Sequence, residues 1–188
     1  MFDEQFLQRI FNGYVNCYRK NNWHTTSNYS DMTHAELGFF KELGESLGFF
    51  VRMEMKWEYP RDLCWCENPD SFEAFLYIER ENKDNRCLDT VMKQLNNLNS
   101  SSIPFLVSLF GWVKPDTLDT AKQYIRNNIP EDKAYLIISW IGDRQDGNDF
   151  IVEGWVLYSG HETKRIAIPK IDGAKYWYLL FEKDSEWV

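Results

Sequence analysis

Long apolar runs are missing from this 188-residue chain. No stretch approaches the roughly 18 apolar residues of a membrane-spanning helix, and Met1-Phe2-Asp3-Glu4-Gln5 lacks the basic start and apolar stretch of a secretory signal. Both absences lead to the expectation of a cytoplasmic protein with no membrane contact. Cysteine is sparse. Cys17, Cys64, Cys66 and Cys87 contain no CxxC pair to suggest zinc, and we read them as reduced, half-buried thiols, with Cys64 and Cys66 on the same side of a predicted strand.

An excess of positive charge is also missing. The 21 Lys and Arg stand against 29 Asp and Glu, giving a net charge of -8. That balance counts against a broad, sequence-independent grip on nucleic acid, which is made of cations opposite phosphates. A nucleic-acid partner would need a local basic patch or a metal. The common catalytic signatures are absent as well: there is no Gly-x-x-x-x-Gly-Lys-Ser/Thr loop, Gly-x-Gly-x-x-Gly, His-Glu-x-x-His or Gly-x-Ser-x-Gly. Ser108 and Ser139 fall in predicted strands without a histidine nearby in sequence, and His24, His34 and His161 are scattered.

What the chain has is aromatic mass: eight Trp, ten Tyr and thirteen Phe in a composition that is 44% hydrophobic. This is enough for one sizeable core, so residues 1–188 are read as a single domain. Phe6, Ile10, Tyr14 and Tyr18 recur at helical spacing and predict a helix over residues 2–19. Thr33-His34-Ala35-Glu36 has the form of a capping box and predicts a second helix, which ends near Leu47 with Gly48 as its stop. Period-two alternation then predicts strands over 49–58, 62–66 and 72–81. A helix follows over 84–99, then a strand over 103–113, apolar enough to be buried on both sides. After a helix capped by Asp116 or Thr117 and running through Asn127, four further strands are expected over 134–141, 150–158, 164–168 and 176–181.

Within that order, Pro60-Arg61-Asp62 and Ile78-Glu79-Arg80-Glu81 stand on the second and third strands of the meander. In this respect the chain resembles the PD-(D/E)xK nuclease superfamily, the restriction-endonuclease-like fold. Members place an aspartate at the start of the second core strand and Glu-x-Lys or Asp-x-Lys on the third. The resemblance covers roughly residues 33–113, and it implies an α/β fold with a restriction-endonuclease-like core of helix, three-strand meander, helix and strand. Residues 134–188 would be an additional C-terminal β-rich portion packed on it. The residue two after Glu79 is Glu81 where lysine is usual, as in a minority branch with Glu-x-Glu. The alternative alignment, Glu81-Asn82-Lys83, restores the lysine but puts polar Arg80 where an apolar residue is expected.

The resemblance implies a divalent-metal-dependent nuclease that hydrolyses phosphodiester bonds in nucleic acid. Asp62 and Glu79 would bind Mg²⁺ or Mn²⁺, and Glu81 would orient or deprotonate the attacking water, with Lys83 as the alternative lysine. Glu36 lies in line with the apolar face of its helix, at a position from which many members send a glutamate to the metal. Gln94 and Lys93, on the helix after the motif, and Arg80 would face phosphate, and Trp57, Trp65 or Tyr77, otherwise core residues, would stack on an exposed base. Each of these residues also has a bland reading: Glu79 to Lys83 as an exposed strand end of alternating charges, Glu36 as the partner of Thr33 in a capping box, Lys93 and Gln94 as a solvated helix flank. A second reading keeps the scaffold without catalysis, as a protein-binding or regulatory module, and fits the net charge and the missing lysine. A third, mimicry of nucleic-acid charge, follows from acidity alone. The sequence leaves open whether two copies pair as a homodimer.

Overall fold

The computed structural model describes residues 4–21, 29–55, 61–70, 73–81, 84–98, 102–142, 151–174, 176–182 and 186–188. Among them are four α-helices: α1 (Glu4–Cys17), α2 (Tyr29–Ser46), α3 (Cys87–Leu98) and α4 (Pro115–Asn128). Nine strands complete the set: β1 (Arg19–Asn21), β2 (Phe50–Met55), β3 (Arg61–Cys66), β4 (Ala74–Glu81), β5 (Phe105–Val113), β6 (Ala134–Ile141), β7 (Ile151–Tyr158), β8 (His161–Ile171) and β9 (Tyr176–Phe181). The strands form one mixed sheet in the order β1-β9-β8-β7-β6-β5-β4-β3-β2. The fold is therefore α/β.

The centre of the sheet is parallel and its wings are antiparallel. β4 runs parallel to β5 and β5 parallel to β6, whereas β2, β3 and β4 form an antiparallel meander. Two parallel steps in the same direction, each crossing over with the same hand, bring α3 and α4 to one face. Leu118, Ala121 and Ile125 of α4 join Val91 and Leu95 of α3 in one apolar cluster there. α1 and α2 cover the other face, where Leu7, Ile10, Phe11, Tyr14 and Val15 give α1 a continuous buried stripe. β5 is buried along almost its whole length, as its apolar run requires for a strand covered on both faces.

Two glycines set how closely the first layer approaches. A Cβ on Gly154 of β7 would lie 2.5 Å from the Phe11 ring, and one on Gly44 of α2 would lie 2.5 Å from the Trp65 indole. Trp65, fully buried on β3, also donates its Nε1–H to the Phe40 carbonyl at 3.1 Å, which ties α2 to the meander. The β7–β8 turn has φ of 37° at Ser159 and 77° at Gly160, the left-handed pair that matches strand twist in a two-residue hairpin.

Several boundaries differ from the sequence expectation, for physical reasons. α2 starts at Tyr29, so Thr33 lies inside the helix and the Thr33–Glu36 capping box does not form. α4 starts at Pro115, with Lys114 as its N-cap and no side-chain cap, rather than at Asp116 or Thr117. β8 is longer than the apolar run 164–168, because pairing with β7 and β9 carries it through polar residues. The strands of residues 134–188, β6 to β9, continue the same sheet. Cys64, Cys66 and Cys87 are buried rather than half-buried, none of the four is in a disulfide, and Cys17 is exposed. No described helix is long and apolar enough to cross a membrane.

Candidate metal centre

β3 and β4 pair with Leu63 opposite Ile78 and Cys64 opposite Tyr77. One further step of this antiparallel register sets Asp62 opposite Glu79, and strand alternation puts both on the α3/α4 face with Cys64 and Tyr77. Both are half-buried. The Arg80 backbone N–H donates to Asp62 Oδ2 at 2.7 Å, so one carboxylate oxygen is pinned to the neighbouring strand. Glu81 is two residues beyond Glu79, on the same face. Its charge and that of Asp84 add to burial in pushing the Cys87 thiol, at the start of α3, up to about 12. Glu81 thus sits within electrostatic reach of the α3 N-terminus, where a carboxylate is favoured by the helix dipole.

Behind this row, α3 meets the sheet through a buried polar cluster. Ser108 of β5, which pairs with Glu79 in register, donates to Gln94 Oε1 at 2.7 Å and lies 2.6 Å from the Tyr135 hydroxyl of β6. The Tyr135 hydroxyl also donates to Gln94 Oε1. Burial, helped by the Glu79 charge, raises the Tyr135 pKa well above the usual phenol value, against the Ser108 hydrogen bond that lowers it. Gln94 is 2% exposed, and its Nε2 has no hydrogen-bond partner among the described residues. An unmade hydrogen bond of this kind costs about 1–3 kcal/mol. Ser108 and Tyr135 were not legible as site residues, because a serine and a tyrosine inside apolar strand runs carry no signal until α3 is laid across them.

The opposite face of β4 holds a second, separate cluster. Arg80 alternates with Glu79 and Glu81, so it shares a face with Ile78 under α1 and α2. Its Nε donates to Glu36 Oε2, an ion pair whose side chains are 1% and 5% exposed. Tyr14 donates its hydroxyl hydrogen to Glu36 Oε1 at 2.7 Å, and Trp140 Nε1 donates to the Tyr14 oxygen at 3.0 Å. Burial and the Glu36 charge hold the Tyr14 pKa well above its ordinary value.

Two site expectations are therefore corrected. Glu36 does not reach the Asp62–Glu79 pair; it is on the other side of the sheet, held by Arg80 and Tyr14. Arg80 does not face phosphate beside the carboxylates, because its side chain is buried against Glu36. Lys93 is on the exposed side of α3, one residue from inward-facing Gln94. Lys83 and Trp57 lie outside the described residues. Trp65 and Tyr77, considered as stacking platforms, are core residues.

The donors suit a hard divalent cation, since Mg²⁺ is usually held by one or two carboxylates and keeps several waters. Among the described residues no group of three or more His, Cys, Asp or Glu converges as a metal cage. Two cavities, of about 430 Å³ beside Glu67, Glu73 and Ser102 and about 360 Å³ beside Cys17, Tyr18 and Asp172, include neither Asp62 nor Glu79. No family model, curated protein or solved structure matches the chain.

Proposed function

We propose that this chain is a divalent-metal-dependent phosphodiesterase acting on nucleic acid, built on a restriction-endonuclease-like core of α2, β2, β3, β4, α3 and β5. The observation that carries the reading is the Asp62 carboxylate held at 2.7 Å by the backbone N–H of Arg80, which brings it beside Glu79 near the end of β4. Ligands of open α/β sheets collect outside the carboxyl ends of such strands.

In this reading Asp62 and Glu79 hold Mg²⁺ or Mn²⁺. A bound cation supplies charge neutralisation at the scissile phosphate and a more acidic water. The rest is the chain's own work. The Arg80 N–H fixes the Asp62 carboxylate, so little rotamer freedom is lost when a ligand arrives. Ser108 and Tyr135 fix the Gln94 carboxamide, and its open Nε2–H is a donor on the same face as Glu79, suited to a phosphate oxygen. Glu81 replaces the usual lysine and is placed to orient a water rather than to donate a proton.

The test is calorimetric titration of the protein with Mg²⁺ and Mn²⁺, followed by cleavage assays on single- and double-stranded DNA and RNA. Saturable metal binding with cleavage, both lost in Asp62→Asn, is the expected result. No metal binding in the wild type ends the proposal. Binding without cleavage supports the second reading, a catalytically inactive scaffold that binds a protein partner, which the glutamate at position 81 favours.

A further inference from the structure

The two edges of the sheet are guarded unequally. β1, at one end of the strand order, is only three residues long, Arg19-Lys20-Asn21, short and charged in the way that blunts an edge. β2, at the other end, runs for six residues, and among the described residues its one strand neighbour is β3. Its sequence, Phe50-Val51-Arg52-Met53-Glu54-Met55, contains no proline and no lysine. An edge strand of this length and composition is a template for pairing with another strand.

Exposed apolar side chains flank this edge on both faces. Phe50 pairs with Cys66, on the α3/α4 side, and is 47% exposed. Met53 pairs with Leu63, on the α1/α2 side, and is 41% exposed. Leu47, in the turn that leads from α2 into β2, is 53% exposed. Large apolar groups gathered at one edge mark an interaction surface, whereas single ones scattered over a protein do not.

Charge selects the partner. Opposite charges facing each other across an antiparallel pair are favourable, and like charges are not. When β2 pairs with a second β2 about a two-fold axis, the residue on the axis sets the register. An axis at Arg52 or at Glu54 sets that charge against its own copy. An axis at Met53 sets Arg52 of each copy opposite Glu54 of the other, Val51 opposite Met55, and Met53 opposite itself. Every position from Val51 to Met55 is then matched by charge or by apolarity. The bond from Arg52 Nη2 to the Pro69 carbonyl, 2.5 Å long, occupies one of the guanidinium's several donors. We propose that β2 joins a second copy of this chain edge to edge, antiparallel about Met53, so that two nine-stranded sheets become one. The surface is separate from Asp62 and Glu79 and does not depend on hydrolysis there. Edge pairing of this length buries less than a standard interface, so the association is expected in the micromolar range.

Sedimentation velocity over a dilution series of the intact protein tests this. The expected result is a species of twice 22.5 kDa that dissociates on dilution. Amide exchange in β2 should slow as concentration rises, while exchange in β1 does not change. Arg52→Glu puts a glutamate opposite the other copy's Glu54, and Glu54→Arg puts an arginine opposite the other copy's Arg52. Each variant alone is expected to dimerise at least about tenfold more weakly than the wild type. An equimolar mixture of the two restores both opposite-charge pairs and is expected to recover association as a heterodimer. A wild type that stays monomeric at near-millimolar concentration overturns the proposal and leaves the edge to an extended segment of another protein. Single variants that dimerise like the wild type, or a mixture that stays monomeric, overturn the pairing about Met53. If a variant does not fold by circular dichroism, the concentration dependence of β2 exchange in the wild type decides the matter, and its absence in a dimer puts the interface elsewhere.

Discussion

The two faces of β4 put neighbouring charges to opposite uses. On the α3/α4 face, Glu79 stands half-buried across from Asp62; on the α1/α2 face, Arg80 is enclosed with Glu36, Tyr14 and Trp140. The first pair is two like charges held on adjacent strands, a placement that a cation relieves. The second is an opposite-charge pair enclosed within the protein, which anchors α2 to the sheet. A run of alternating charge at a strand end is therefore not one site, because the sheet separates its members by parity.

The comparison breaks most sharply at the carboxylate pair. Asp62→Asn or Glu79→Gln is expected to lower Mn²⁺ affinity by more than the roughly 10–100-fold that loss of an outer supporting group costs. Calorimetry measures this, and affinity within a few-fold of wild type in both variants would place the metal elsewhere. The enclosed pair is expected to respond in stability instead. Glu36→Gln leaves Arg80 buried without its counter-charge and should cost about 3–5 kcal/mol in chemical denaturation, against a typical domain stability of 5–15 kcal/mol. Its metal affinity should match that of the wild type. A stable Glu36→Gln that no longer binds metal would reverse the assignment of the two faces.

Smaller effects sharpen the packing on each side. Gly154→Ala forces a methyl against the Phe11 ring and should cost about 1–3 kcal/mol by loosening α1. An unchanged denaturation midpoint would mean that α1 shifts without cost. At pH 8, a thiol reagent should modify Cys17 alone, with Cys64, Cys66 and Cys87 reacting only after unfolding. Alkaline stability gives the mildest signal. Tyr14 on one face and Tyr135 on the other both have raised folded pKa values, so their protonated forms favour folding below the unfolded tyrosine value of about 10. Above about pH 10 that contribution is lost as the unfolded chain ionises first, and the melting temperature should fall; a flat profile to pH 11 would contradict the burial of both hydroxyls.

Much of the fold was legible because periodicity is a local property. β6 and β9 fall where short apolar runs put them, and β5 is buried on both sides as its unbroken run required. Less legible was any element whose stability comes from its neighbours: β1 exists by pairing with β9, and β8 extends through His161-Glu162 and Pro169-Lys170 because strands flank it. In the candidate site, strand alternation already linked Glu79 to Glu81, and the apolar stripe of the helix already placed Gln94 near Val91 and Leu95. Glu36 was misplaced because a helical wheel shows that a residue faces a sheet, but not which face of the sheet the helix covers.

The sequence by itself determined the element types, the apolar faces and the alternation that sends Glu79 and Arg80 to opposite sides, since each of these follows from residues a few positions apart. Only the tertiary structure decided that Asp62 stands opposite Glu79, that Glu36 belongs to Arg80, and that Ser108 and Tyr135 hold Gln94. Those pairings join residues 14 to 44 positions apart, brought together by strand register and by the face each helix crosses to.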